Sequence, residues 1–171
     1  IRELNDNPKT NNREKIIRNY ESTIRKQNFE SAGVYDNKGN LIFKKDGDKN
    51  SVNFQWYETE RMKGNVLTHN HPREISFSKE DIHLASFHGL SEIRAVTKTR
   101  TFIMELNKQF KGKEYSSLKS FITRNEKIIA RKYYPDYKSG KYDIDKYSDL
   151  AFNDLWQTLS NHKKYGQYFN Y

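Results

Sequence analysis

The chain has 171 residues, with 31 Lys+Arg against 22 Asp+Glu, a formal net charge of +9 and no cysteine. That length suits one domain that buries a single core, and the missing cysteines exclude disulfides, thiolate metal ligands and a cysteine nucleophile, so a transition-metal site must draw on His and carboxylate. Apolar residues reach only 34%, yet 12 Tyr and 10 Phe supply the large buried surfaces that disordered chains lack.

The basic excess favours polyanionic partners and implies weak non-specific affinity for nucleic acid. No run of five basic residues occurs, and solvated surface is the default reading for the excess, including Lys163 and Lys164. No apolar run approaches bilayer length, so no membrane partner or transmembrane segment is expected. The opening residues Ile1 to Asp6 lack a signal-peptide pattern, and without a Met at position 1 the chain is expected to be a fragment of a longer one.

Residues 1–12 form a polar, Asn-rich segment. A helix is predicted from Arg13 to Gln27, where Ile16, Ile17, Tyr20 and Ile24 recur at helical spacing, with Asn11 and Glu14 spaced as a cap. Ser31 to Tyr35 and Leu41 to Lys45 read as a hairpin around Asp36-Asn37-Lys38-Gly39-Asn40. After a second polar turn, Val52 to Tyr57 is predicted as a short strand, Glu58 to Lys63 as a helical turn and Asn65 to Thr68 as a strand that delivers His69 and His71. A helix from Lys79 to His88 is stopped by Gly89, and Glu92 to Leu106 reads as one or two strands. Beyond Gly112, apolar residues at spacings of three and four predict a helix that ends at Pro135, and Ile144 to His162 a last one. This order implies an α/β fold, a central mixed sheet flanked by helices with a C-terminal helical extension.

The chemistry concentrates in Thr68-His69-Asn70-His71-Pro72 and Ser78-Lys79-Glu80-Asp81. Alternate side chains of an extended segment point the same way, so His69 and His71 present two imidazoles on one side, with Asn70 facing away. Asp81, ten residues after His71, is the natural third ligand for a catalytic Zn²⁺, which takes three protein groups and leaves a position for water. Ser78 and Asp81 also form an S-x-x-D capping box, and helix initiation alone would explain both. His83, His88 and His162 are read as structural or exposed.

These two stretches resemble the metal-binding motif of the JAB/MPN (JAMM) metallopeptidase superfamily, an upstream Glu followed by HxH and then a Ser and an Asp on the next helix. The wording is closest to RadC-like members and to JAB-like domains of phage minor head proteins and polymorphic toxins. The resemblance spans Arg13 to Leu106, including the strand Leu90 to Val96. It implies a JAB/MPN, cytidine-deaminase-like domain over 13–110, with 111–171 a Tyr/Lys-rich helical extension packed on it.

It further implies that His69, His71 and Asp81 bind zinc, that Ser78 helps stabilise an oxyanion, and that an upstream Glu is the general base. Glu30 is the candidate, with Glu58 and Glu60 as alternatives. Arg73-Glu74-Ile75 replaces the small residues common after HNHP, and the loop to Asp81 is one residue shorter than in RadC-like members.

The implied function is a zinc-dependent hydrolase that cleaves a peptide or isopeptide bond in a protein substrate by a metal-activated water, located in a bacterial cytoplasm or a phage virion. Two alternatives stand beside it. One is a non-catalytic structural or interaction module of a phage or toxin protein, docked to a virion or parent-chain partner through the tyrosine-rich tail. The other is a nucleic-acid-binding protein or nuclease, prompted by the charge and the His-Asn-His string, although nuclease motifs of that name separate their residues widely.

Overall fold

A computed structural model describes residues 12–171. Helix α1 (Asn12–Ile24) turns Ile17, Glu21 and Ile24 inward. It stops three residues short of the expected end, where Arg25 and Gln27 fold back onto the carbonyls of Glu21 and Ile24. The expected Asn11 cap lies outside the described residues. Strands β1 (Ser31–Tyr35) and β2 (Leu41–Asp46) form the expected antiparallel hairpin. Asp36 accepts from Lys38 and Asn40 across its turn.

Val52 to Tyr57 is not a strand. Val52 and Phe54 pack against the core, but a capping box from Gln55 and Glu58 opens the short helix α2 (Trp56–Thr59). Local side-chain bonding thus wins over β propensity where no neighbouring strand offers a ladder. A 3-10 turn, Glu60–Met62, leads to strand β3 (Val66–Asn70), helix α3 (Lys79–His88) and strand β4 (Glu92–Val96). Gly89 ends α3 in the left-handed conformation at φ 69°, where an added Cβ would also stand 2.7 Å from the Gln109 side chain.

Strand β5 (Thr101–Leu106) returns antiparallel to β4, so Glu92 to Leu106 is two strands. Helix α4 (Gly112–Lys138) runs through Pro135 rather than ending there. Proline in the last turn forfeits one bond to an earlier carbonyl, and the carbonyls of Pro135 and Tyr137 still accept from Ser139 and Gly140. Helix α5 (Ile144–Ser160) is capped by the Asp143 side chain. A two-residue strand, β6 (Phe169–Asn170), closes the sheet; it is too short to carry a periodic signal.

The six strands form a mixed sheet in the order β2-β1-β3-β4-β5-β6. Only β3 and β4 are parallel, and α3 is the crossover that such a pair requires. Helix α1 covers one face through Ile17, Tyr35 and Val66. On the other face one apolar cluster joins Ala32, Leu67 and Ile93 of the strands with Ile82 of α3, Leu118 and Ile122 of α4, and Trp156 and Leu159 of α5. Residues before and after 111 therefore share a core, and the Trp156 indole donates to the Phe77 carbonyl inside it. Among the described residues, no helix is long and apolar enough to cross a membrane.

The α1 face also buries charge. Arg94, 2% exposed, reaches Glu14 on α1 at 2.6 Å, Glu21 at 3.4 Å and its own strand neighbour Glu92. The Thr68 hydroxyl donates to Glu21 at 3.0 Å, and Arg13 bridges to Glu92 at 2.7 Å. Burial outweighs Arg94 and raises the Glu21 carboxyl above its ordinary range. At the more solvated Glu14, the Arg94 and Arg18 hydrogen bonds and charges prevail over burial and lower the carboxyl to about 2.

Candidate metal centre

The centre forms where β3 ends beside its parallel partner. His69 lies in register with Ala32 on β1 and Ala95 on β4, so its cross-strand neighbours leave room for an imidazole on the α3 side of the sheet. His71 continues the extended path, its backbone N–H bonded to Val96 O at 2.8 Å. Ser78 then caps α3, its Oγ accepting from the Asp81 N–H at 3.2 Å. The cap is reciprocal, because Asp81 Oδ2 accepts from the Ser78 N–H at 2.7 Å and the Ser78 hydroxyl at 2.8 Å. One arrangement therefore starts the helix and aims Asp81 at the histidines.

Asp81 Oδ1 stands 3.2 Å from His69 Nε2, and Oδ2 stands 3.4 Å from His71 Nε2. The two ring nitrogens are 2.9 Å apart. One atom from each of the three residues lies within 4.8 Å of the others, which makes His69, His71 and Asp81 a group that could hold a metal ion. His71 Nδ1 lies 3.1 Å from the Ile75 carbonyl. Donation to that oxygen fixes the tautomer that frees Nε2, the outer-shell support typical of a ligating histidine. His69 Nδ1 is buried and lacks such a partner.

The donor set of two imidazoles and a carboxylate fits Zn²⁺. Two nitrogens this close cannot direct lone pairs at each other, so either a shared proton or a cation must lie between them. Burial opposes charge on His71, but the Asp81 hydrogen bond and charge, aided by Glu30, push its imidazole up to about 9. Burial likewise acts against the Asp81 carboxylate, and His69 and His71 override it, holding the carboxyl well below its usual range.

Glu30 sits just before β1 rather than within it. Its backbone N–H donates to Asp48 O at 2.7 Å, and its carbonyl accepts from Gly47 at 2.8 Å. Glu30 is 8% exposed, and Glu30, Ser78, His69, His71 and Asp81 all line one cleft of about 460 Å³. Burial raises the Glu30 carboxyl; His69 and His71 pull it down less, while Asp81 and Asp48 push it further up. Glu58 and Glu60 do not line the cleft. Glu58 pairs with Lys45 at 2.5 Å and caps α2, and Glu60 lies exposed in the 3-10 turn.

Sequence reading assigned no role to Asn70. Fully buried, it turns to the opposite face of β3, where its Oδ1 accepts from the Ser31 N–H at 2.6 Å and its Nδ2 donates to Phe29 O at 2.9 Å. It clamps the backbone on both sides of Glu30. The signal was available, since a buried amide between two histidines needs partners of its own, but nothing local named Phe29 and Ser31.

The rest of the cleft is lined by residues of the 49–54 segment together with Leu67, Pro72, Arg73, Ile75, Glu80 and Leu84. The other histidines lie elsewhere. His83 is lowered by burial and by Lys119 and Lys79, His88 by burial, and His162 stacks on Tyr165 and packs tilted against Phe121. No protein-family model, curated protein or solved structure matches this chain.

Proposed function

We propose that this chain is a zinc-dependent hydrolase of JAB/MPN-like type that cleaves a peptide or isopeptide bond. The observation that carries the reading is a buried glutamate with a raised carboxyl, clamped beside a His-His-Asp group in one open cleft. His69, His71 and Asp81 would hold the ion. Zinc, when bound, supplies Lewis acidity toward a carbonyl oxygen and toward water.

The remaining work falls to the chain. Glu30 accepts the proton of the attacking water and returns it to the leaving amine, and a carboxyl raised above its ordinary range by burial suits a group that must do both. Asn70 positions Glu30 without touching substrate. Ser78 orients Asp81 through its N–H and hydroxyl, and that one hydroxyl proton would have to turn from Asp81 to the carbonyl oxygen to meet the charge developing there. The 49–54 segment and Arg73 form walls against which an extended chain would lie.

A second reading treats the same three residues as a proton-sharing structural knot in an interaction module of a phage or toxin protein. The 2.9 Å nitrogen contact and the elevated His71 favour it. Metal content of the purified chain, measured by elemental mass spectrometry, separates the two. The hydrolase reading expects about one zinc per chain, lost in His69→Ala/His71→Ala and retained in Glu30→Gln; a chain that takes up no zinc when supplied with it supports the knot.

A further inference from the structure

The longest helix carries a second feature, separate from the metal centre. Helix α4 buries Leu118, Phe121, Ile122 and Ile129 against the core. At 3.6 residues per turn, the direction opposite that stripe is occupied by Lys113, Ser120, Arg124, Lys127, Arg131 and Lys138, all exposed. The row extends about 37 Å, and its three central cations recur roughly every 5 Å along the axis. Among the described residues, no carboxylate forms an ion pair with any of these five cations. The acidic residues of α4 turn aside, Glu114 to Lys108, Glu126 to Lys79 and Asp136 to Lys141. The hydroxyl of Ser120 lines shallow grooves beside Arg124 on both flanks, and Lys164 of the C-terminal segment borders one of them.

We propose that this face of α4 binds the phosphate backbone of a double-stranded nucleic acid, without reading its sequence. Charge complementarity selects the occupant. A duplex is a polyanion of unvarying density, one charge per about 1.7 Å of axis, and five cations along one helix face, three of them about one turn apart, match such a line. An anionic membrane would demand a broad apolar flank that inserts, and among the described residues α4 exposes only Ile128, Tyr134 and Tyr137 as large hydrophobic side chains. An acidic protein would present its carboxylates in a local patch, whereas this row runs most of the length of α4.

The test is fluorescence anisotropy of a labelled 20-base-pair DNA duplex against the full chain, from 50 to 200 mM salt. The three central cations, each neutralising one phosphate, contribute about −2.7 to the log–log salt slope, so affinity should fall at least roughly 40-fold across that range. Arg124→Ala/Lys127→Ala/Arg131→Ala should remove that contribution, leaving only the share of Lys113 and Lys138, and weaken binding at 50 mM by at least tenfold. Lys26→Ala/Lys38→Ala/Lys98→Ala removes the same charge from exposed positions elsewhere and should leave the slope in place. Circular dichroism confirms that both variants keep their helix. The proposal is overturned if the unaltered chain does not bind duplex at 50 mM salt, if the two triple variants behave alike, or if polyglutamate at equal charge displaces the chain as well as unlabelled duplex does. The His69→Ala/His71→Ala variant should bind duplex unchanged, so failure of the zinc reading leaves this result standing.

Discussion

Replacing Asn70 by alanine tests whether the residue between the histidines works through the backbone of its neighbour strand. The side chain makes two bonds, to the Ser31 N–H at 2.6 Å and the Phe29 carbonyl at 2.9 Å, the first fully buried and the second partly so. A buried polar group stripped of its partner costs about 1–3 kcal/mol, so the Ser31 N–H should contribute most of that and the Phe29 carbonyl somewhat less. A total of about 3 kcal/mol follows, which for a chain of this size lowers Tm by roughly 6 to 12 °C. Urea denaturation and thermal melting measure it directly. The local consequence is sharper than the global one, because 29–31 is the segment that carries Glu30. Zinc content should stay at that of the unaltered chain, since no ligand is touched, while hydrolysis falls with the loss of Glu30's anchor. A destabilisation under about 1 kcal/mol would show that the bonds of Glu30 to Asp48 and Gly47 hold the segment unaided. Loss of zinc in step with His71→Ala would show that Asn70 acts on the ligands instead, and the clamp argument would fall.

Arg94→Met should cost about 3–5 kcal/mol by chemical denaturation, because it leaves Glu14, Glu21 and Glu92 facing one another without their shared cation; a loss no greater than that of an exposed arginine would refute the network. Glu14 has its folded carboxyl lowered from 4.5 to about 2, so its contribution is fully present above pH 4.5 and disappears as pH falls through about 2. The shift corresponds to at most about 3 kcal/mol before screening of a partly solvated side chain is discounted. Glu21, raised by burial, acts with the opposite sign, its contribution being lost as pH rises through its folded value, so Glu14→Gln should flatten the acid limb of an unfolding-versus-pH curve while Glu21→Gln steepens it. Ser78→Ala should lose about 1 kcal/mol with the cap and weaken zinc retention, and Ser78→Thr should restore both if the hydroxyl acts by orienting Asp81. Trp156→Ala should destabilise by about 3–5 kcal/mol, read by denaturation, since it empties the junction between α5 and the sheet and orphans the Phe77 carbonyl.

The parts of this molecule that were legible in sequence are those in which local chemistry and tertiary demand agree. Ser78, Asp81 and Gly89 bracket α3 by capping rules that operate within a few residues, and the structure bounds that helix where those rules predict. The β1–β2 hairpin follows from a turn whose Asp36 closes it without outside help. Sequence and structure part where one residue's preference meets a contrary tertiary demand. Pro135 stops a helix only if the lost bond matters, and in an exposed last turn it costs little. Val52 and Phe54 have β propensity, but their segment has no strand to pair with, and the Gln55–Glu58 cap organises its end. Arg94 reads as an unremarkable charge in a short strand, because its three carboxylates come from α1 and its own ladder, up to 80 residues away.

The Glu21–Thr68 bond links this charge network to the strand that carries the metal centre. Thr68 and Asn70 face α1, His69 faces α3, and the alternation of one strand therefore divides five residues between a polar anchor and a candidate active site. A register slip of one residue would exchange the two faces and direct the imidazoles toward α1. The buried Glu21–Thr68 and Asn70–Ser31 bonds disfavour that slip, since either would be left with a polar group lacking a partner. Polar residues on the face away from the site thus fix which residues of β3 reach the cleft, and their cost in desolvated charge is borne at Glu21, whose carboxyl is raised, rather than at the ligands. Replacing Glu21 and Thr68 together by apolar residues should accordingly be tolerated by the fold better than Arg94→Met alone, because it removes a buried carboxylate and its donor as a pair. If that double variant keeps its zinc but shows broadened amide resonances along β3, the pair serves register more than stability; sharp, unshifted resonances would assign the register to Asn70 alone.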